Sequence, residues 1–137
     1  MMKNHLEIPQ LIIEDVNDYL SSVLPEEGCG FLVGKGGCVV EFHPVENEAH
    51  SPFVYRMNPS EQIKIMIDAE DRNLEILAIV HSHPVGAARP SQTDICEASW
   101  YDICYVIVSF QQRKSPDWRG WLLNAAQYEE TLLFIKE

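Results

Sequence analysis

The stretch Ile76-Leu77-Ala78-Ile79-Val80-His81-Ser82-His83-Pro84-Val85-Gly86-Ala87-Ala88-Arg89-Pro90-Ser91-Gln92-Thr93-Asp94 decides how this chain folds and where its chemistry sits. Its first five residues form a continuous apolar run of strand length, which predicts a buried central strand. Residues i and i+2 of a strand share a face, so His81 and His83 project together while Ser82 points away. Gly86 and two prolines then turn the chain, and Ser91 opens a helix with Asp94 in its first turn. Two imidazoles on one face suit zinc, whose Zn–N distance is roughly 2.0–2.1 Å. An anionic third ligand at Asp94 would leave a fourth tetrahedral position for water, as in a catalytic rather than a structural site.

Each piece also has a plain structural reading. A His-x-His at a strand end occurs without metal. Ser91 and Asp94 have the spacing of a capping box, and an acid near a helix N-terminus is favoured by the dipole. Both readings can hold at once, with Ser91 capping the helix and facing the site. Glu26 and Glu27, just after Pro25, read equally well as surface charge.

Outward from this stretch the chain alternates helices and strands. Pro9 to Leu24 has helical spacing, with Pro at the first turn and Pro25 as the stop. Gly30–Gly34 and Cys38–Phe42 flank Lys35-Gly36-Gly37 and predict a hairpin. Phe53–Met57 is a short strand candidate. Asn58-Pro59-Ser60 opens a helix with Ile63, Met66, Ile67 and Leu74 on one face. Ser91–Tyr101 predicts a third helix, Tyr105–Phe110 a buried strand, and Trp118–Ala126 and Thr131–Ile135 two strands or a strand and a short helix. This order predicts a single α/β domain, residues 1–137, with a mixed sheet sandwiched by helices.

Composition narrows the function classes. The 137 residues are 46% hydrophobic and 23% charged, ordinary values for one globular domain with its own core. Ten Lys+Arg against twenty-one Asp+Glu give 10 − 21 = −11, a balance that repels nucleic-acid phosphates and anionic membranes. Cys29, Cys38, Cys96 and Cys104 form no C-x-x-C pair and sit among apolar neighbours, which points to a reducing, cytoplasmic compartment. Met1–His5 does not begin a signal peptide, and no aliphatic run is long enough to span a bilayer.

Taken together, Pro25-Glu26-Glu27-Gly28-Cys29-Gly30-Phe31-Leu32-Val33-Gly34, His81-Ser82-His83, a seven-residue gap and Ser91-Gln92-Thr93-Asp94 resemble the JAMM (MPN-plus) metalloprotease family. The family pattern is Glu, His-(Ser/Thr)-His, seven residues and Ser-x-x-Asp, matched here at every fixed position. Asn47, Ser51-Pro52 and Tyr55-Arg56-Met57-Asn58-Pro59 look like the small bacterial members, and the resemblance weakens after about Phe110.

The resemblance implies a mixed, largely antiparallel sheet of cytidine-deaminase-like type. It implies one zinc per chain on His81, His83 and Asp94, with water as fourth ligand. Glu27 would be the general base that passes the water's proton to the leaving amine, and Ser91 would help hold the oxyanion. Zinc lowers the pKa of bound water to about 7 and polarises a carbonyl, and a nearby carboxylate can shuttle the proton. Glu27 is preferred to Glu26 because Glu-x-Cys-Gly sets the family register. The small bacterial members act on ubiquitin-like sulfur-carrier proteins of the ThiS or MoaD kind, after their C-terminal Gly-Gly. A metal-free MPN scaffold and a RadC-like DNA-repair relative are the alternatives; intact ligands speak against the first, the charge of −11 against the second. His-Glu-x-x-His is absent, as is His-x-Glu with Pro-Cys-x-x-Cys, so zincin and nucleotide-deaminase patterns do not fit.

Overall fold

The computed structural model describes residues 5–124 and 127–137. Among the described residues, seven strands and three helices follow one another as β1 (His5–Pro9), α1 (Gln10–Ser22), β2 (Cys29–Lys35), β3 (Cys38–Val45), α2 (Pro59–Asp71), β4 (Glu75–His83), α3 (Gln92–Glu97), β5 (Cys104–Ser109), β6 (Asp117–Asn124) and β7 (Gln127–Lys136). The fold is α+β and strand-rich. The strands close into a barrel in the order β1-β3-β2-β4-β5-β6-β7.

This closure corrects the expected helix-sandwiched sheet. The short first strand, not foreseen from the sequence, runs parallel to β7 through five residue pairs and touches β3 at Glu7 and Cys38. Where β1 and β3 share so little ladder, α1 packs over β3 and buries Ile13, Val16 and Leu20. These three join Leu32, Val80, Val106 and Val108 in one core cluster. A second cluster, built on the alternate residues of β2, β4 and β5, holds Phe31, Ile79, Ile107, Trp121 and Leu123. β2, β4 and β5 therefore bury both faces, which is why they read as unbroken apolar runs.

The Gly36-Gly37 turn of the β2–β3 hairpin has φ of 62° and 82°, the left-handed region that glycine enters without strain. Gly28 serves a different purpose. A Cβ there would stand 2.7 Å from Leu20 Cδ2 and 2.8 Å from Val23 Cγ2. Any larger residue would push these side chains aside where the end of α1 closes down on the backbone next to Glu27.

Four local expectations need correction. Phe53–Met57 is not a strand: it holds only an isolated bridge, Asn47 to Met57. Its backbone turns instead to the Asn47 side chain, which accepts from Arg56 N–H and donates to Val54 O. α3 stops at Glu97 rather than Tyr101, because Ser99 and Trp100 give their amides to the Tyr105 hydroxyl. Within α2, Ile63, Met66 and Ile67 share a face as expected, but they are 56%, 39% and 55% exposed, and Leu74 lies beyond the helix. Cys96 is exposed rather than set among apolar neighbours; all four cysteines are free. The last two positions expected in the Trp118–Ala126 strand, and most of the N-terminal Met1–His5 segment, lie outside the described residues. Among the described residues no helix is long and apolar enough to cross a membrane.

Candidate metal centre

β4 runs on through His83, three residues past its aliphatic run. It lies between β2, antiparallel, and β5, parallel, with Cys29 opposite His81 and Ser109 opposite His83. This central register removes both imidazoles from solvent: His81 is wholly buried and His83 nearly so. The turn after β4 delivers α3, whose first residues carry the capping box in full. Ser91 Oγ accepts from Asp94 N–H at 3.0 Å, and Asp94 Oδ2 accepts from Ser91 N–H at 3.0 Å.

Capping and convergence share one atom. Asp94 Oδ2 lies 3.0 Å from His83 Nε2 and 3.3 Å from His81 Nε2, and the two ring nitrogens are 3.2 Å apart. Three metal-ligating atoms thus form a small triangle. Tetrahedral zinc with ligands at roughly 2.0–2.1 Å has edges of about 3.3 Å. The donor set and its spacing fit that ion.

The rings are oriented by different means. His83 Nδ1 is 2.7 Å from the Ala87 carbonyl, an acceptor only, so Nδ1 carries the hydrogen and Nε2 offers its lone pair. His81 Nδ1 is buried without a partner. Its ring is instead stacked on Tyr55, centroids 4.5 Å apart and planes 27° from parallel.

Charge follows these contacts. Burial pushes His81 below its ordinary value, against the pull of Asp94. Burial also opposes protonation of His83, but hydrogen bonds to Asp94 and Ala87 outweigh it and raise the group. Burial works to raise Asp94, yet His81, His83 and the Ser91 amide hold it well below the carboxylate range.

Glu27 sits beside this cluster, 4% exposed, and feels the charges of His83 and Asp94. Burial pushes its carboxyl up to about 8, and its Oε1 has no hydrogen-bond partner. Its backbone, by contrast, is held from both ends. Glu27 N–H donates to Ser51 O, and Asn47 Nδ2 donates to Glu27 O at 2.9 Å. Ser82, the residue that points away from the two histidines, completes the frame. It is fully buried; its N–H donates to Gly28 O, and its Oγ accepts from Gly28 N–H at 2.8 Å. Glu26 faces His50 on the surface instead.

The structure therefore brings His81, His83 and Asp94 together, sets Glu27 next to them, and places Ser91 on the cap that holds Asp94. Sequence reasoning gave no role to Asn47, Ser82 or Tyr55. For Ser82 a signal existed: a buried hydroxyl between two histidines on a central strand needs a partner across the sheet.

The chain matches the model of a family described as prokaryotic homologs of the JAB domain over residues 12–124. It belongs to that family, and it is a protease. A desampylase of Pyrococcus furiosus is 31% identical over 119 residues, covering 87% of this chain and 81% of the relative. A CysO-cysteine peptidase of Mycobacterium tuberculosis is 34% identical over 116 residues, covering 82% and 80%. The solution structure of a Desulfitobacterium hafniense protein superposes with a TM-score of 0.88 at 28% identity, over 96% of this chain and 93% of that one.

Proposed function

We propose that this chain is a zinc-dependent peptidase or isopeptidase that hydrolyses the amide bond after the C-terminal Gly-Gly of a ubiquitin-like or sulfur-carrier protein of the ThiS or MoaD type. The observation that carries the reading is the triangle of His81 Nε2, His83 Nε2 and Asp94 Oδ2 beside a buried carboxylate with a free oxygen. The names of the two relatives, a desampylase and a CysO-cysteine peptidase, support the substrate class.

His81, His83 and Asp94 would hold one zinc ion per chain. When bound, the ion supplies Lewis acidity toward the scissile carbonyl and the attacking water. Glu27 Oε1 accepts the proton of that water as the oxygen adds to the carbonyl carbon. The same carboxyl, buried and with an oxygen free of hydrogen-bond partners, can hold this proton and release it to the nitrogen as the C–N bond breaks. Ser91 Oγ already accepts from Asp94 N–H, so its own hydrogen is available to the developing oxyanion.

A cavity of about 280 Å³ that reaches Asp94, lined also by Tyr55, Met57, Gln62, Ala98 and Trp100, supports an extended substrate tail. A folded surface does not enter such a space, whereas an extended Gly-Gly end does, since glycine lets the backbone approach closely. Residues 1–137 act in this reading as a single catalytic domain in the cytoplasm, without nucleic acid or membrane.

The experiment is to incubate the zinc-loaded protein with a cognate carrier extended by one cysteine and follow the mass. Loss of the terminal residue is expected. No cleavage of any cognate carrier, beside efficient cleavage of unrelated peptides, would replace this reading with a general peptidase.

A further inference from the structure

Three consecutive carbonyls in the turn after β4 are taken by side chains from three different strands. Ser109 Oγ, at the end of β5, donates to Gly86 O at 2.6 Å. His83 Nδ1, at the end of β4, meets Ala87 O at 2.7 Å. Trp121 Nε1, in β6, donates to Ala88 O at 3.0 Å. The anchors are rigid. Ser109 is in register with His83, and the next amide, Phe110 N–H, donates to His83 O at 3.0 Å. Ser109 and Trp121 are 2% and 6% exposed. Donors this buried lose more when left unpaired than exposed ones do, because water does not replace the partner.

The turn between Pro84 and Pro90 has little of its own to hold it. Val85, Gly86, Ala87 and Arg89 are exposed, and only Ala88 is buried. Yet its middle carbonyl selects which nitrogen of His83 carries the hydrogen. If Ala87 O swings away, either ring tautomer becomes open, and Nε2 is no longer the assured lone pair of the triangle. The carbonyls before and after Ala87 are each bonded to a buried side chain.

We propose that Ser109 and Trp121 are positioning residues for His83: by clamping Gly86 O and Ala88 O they hold the Ala87 carbonyl on Nδ1 and so present Nε2 to zinc. The inference rests on the zinc reading above. It divides the two histidines: His83 receives its tautomer from the protein, while the His81 ring stacks on Tyr55 and has no partner on Nδ1.

The test uses the full zinc-loaded chain. Long-range proton–nitrogen NMR of the His83 ring in the wild type should show coordination through Nε2 and an exchange-protected hydrogen on Nδ1. Ser109→Ala removes one clamp donor, and Trp121→Phe removes the other while keeping an aromatic ring. Chelator competition should show the zinc Kd rising roughly tenfold in each, with faster exchange of the Nδ1 hydrogen. Leu123→Val, in the same core cluster but outside the clamp, controls for lost packing. Kd values within about twofold of wild type, or no worse than in Leu123→Val at a matched fall in Tm, would overturn the clamp. Coordination through Nδ1 in the wild type would overturn it even if Trp121→Phe fails to fold. A wild-type chain that takes up no zinc would instead overturn the zinc reading.

Discussion

His81, His83 and Asp94 stand on one wall of the site and Glu27 on the other, and the two walls treat their charge differently. On the first, each acceptor and donor atom of the triangle faces another at 3.0–3.3 Å, and Asp94 is held ionised. On the second, the backbone is pinned by Asn47, Ser51 and Ser82, while the carboxylate oxygen is buried without a partner. On the proposed function each wall would have its own task. A convergent set of lone pairs suits a cation. An unpartnered buried carboxyl, pushed up to about 8 in the metal-free chain, suits proton transfer at the cost of some stability.

The largest expected effect breaks the first wall. Replacing His81, His83 or Asp94 by Ala should remove metal and turnover together, measured by metal analysis and carrier cleavage. The fold should persist, because the barrel has its own core and does not need the ion to close. Circular dichroism of the chelated wild type checks this.

Glu27→Gln separates the walls. The amide cannot take the water's proton, so turnover should fall by roughly 10²–10⁴-fold while zinc stays bound. Stability should move the other way, and the sign follows from the shift. The unfolded carboxyl titrates near its ordinary value of 4.5, the folded one near 8. The folded state thus holds the proton more tightly, and the contribution of Glu27 to the stability of the chelated wild type is lost as pH rises from 4.5 through 8. Chelated Glu27→Gln should match the wild type in Tm at pH 4 and exceed it at pH 9. A Tm gap that shrinks with rising pH would contradict the assignment. Glu26→Gln, on the surface beside His50, should change neither turnover nor Tm.

A smaller effect loosens the second wall without touching the carboxyl. Ser82→Ala leaves the Gly28 amide without its side-chain partner, and Asn47→Ala frees the Glu27 carbonyl. Each should cost about 1–3 kcal/mol in denaturant unfolding. Each should also lower kcat with zinc content unchanged, because the carboxylate drifts while the triangle stays. Ser91→Ala is expected to be mildest in stability, losing about 1 kcal/mol with the helix cap. Wild-type turnover in that variant would remove Ser91 from the oxyanion role.

Much of the first wall was legible in the sequence, and the reason is that it is local. An apolar run ending in His-x-His, a turn and a Ser-x-x-Asp cap lie within nineteen residues, Ile76 to Asp94, and each follows from strand or cap geometry. The second wall was legible only as the Glu27 position. Its supports come from Asn47 and Ser51 in an irregular loop and from Ser82 more than fifty residues away, and no periodicity records such contacts. β1 was missed for the same reason: its short alternation is weak, and its partner β7 lies at the other end of the chain. For α2 the spacing gave the apolar face correctly, but spacing does not say whether the fold covers it, and here Ile63 and Ile67 stay exposed.

Metal analysis of chelator-free preparations tests the division between the walls most directly. Wild type and Glu27→Gln should each carry one zinc per chain, and a His81→Ala, His83→Ala double variant should carry none. Full zinc occupancy in the double variant, or its loss from Glu27→Gln, would contradict the account.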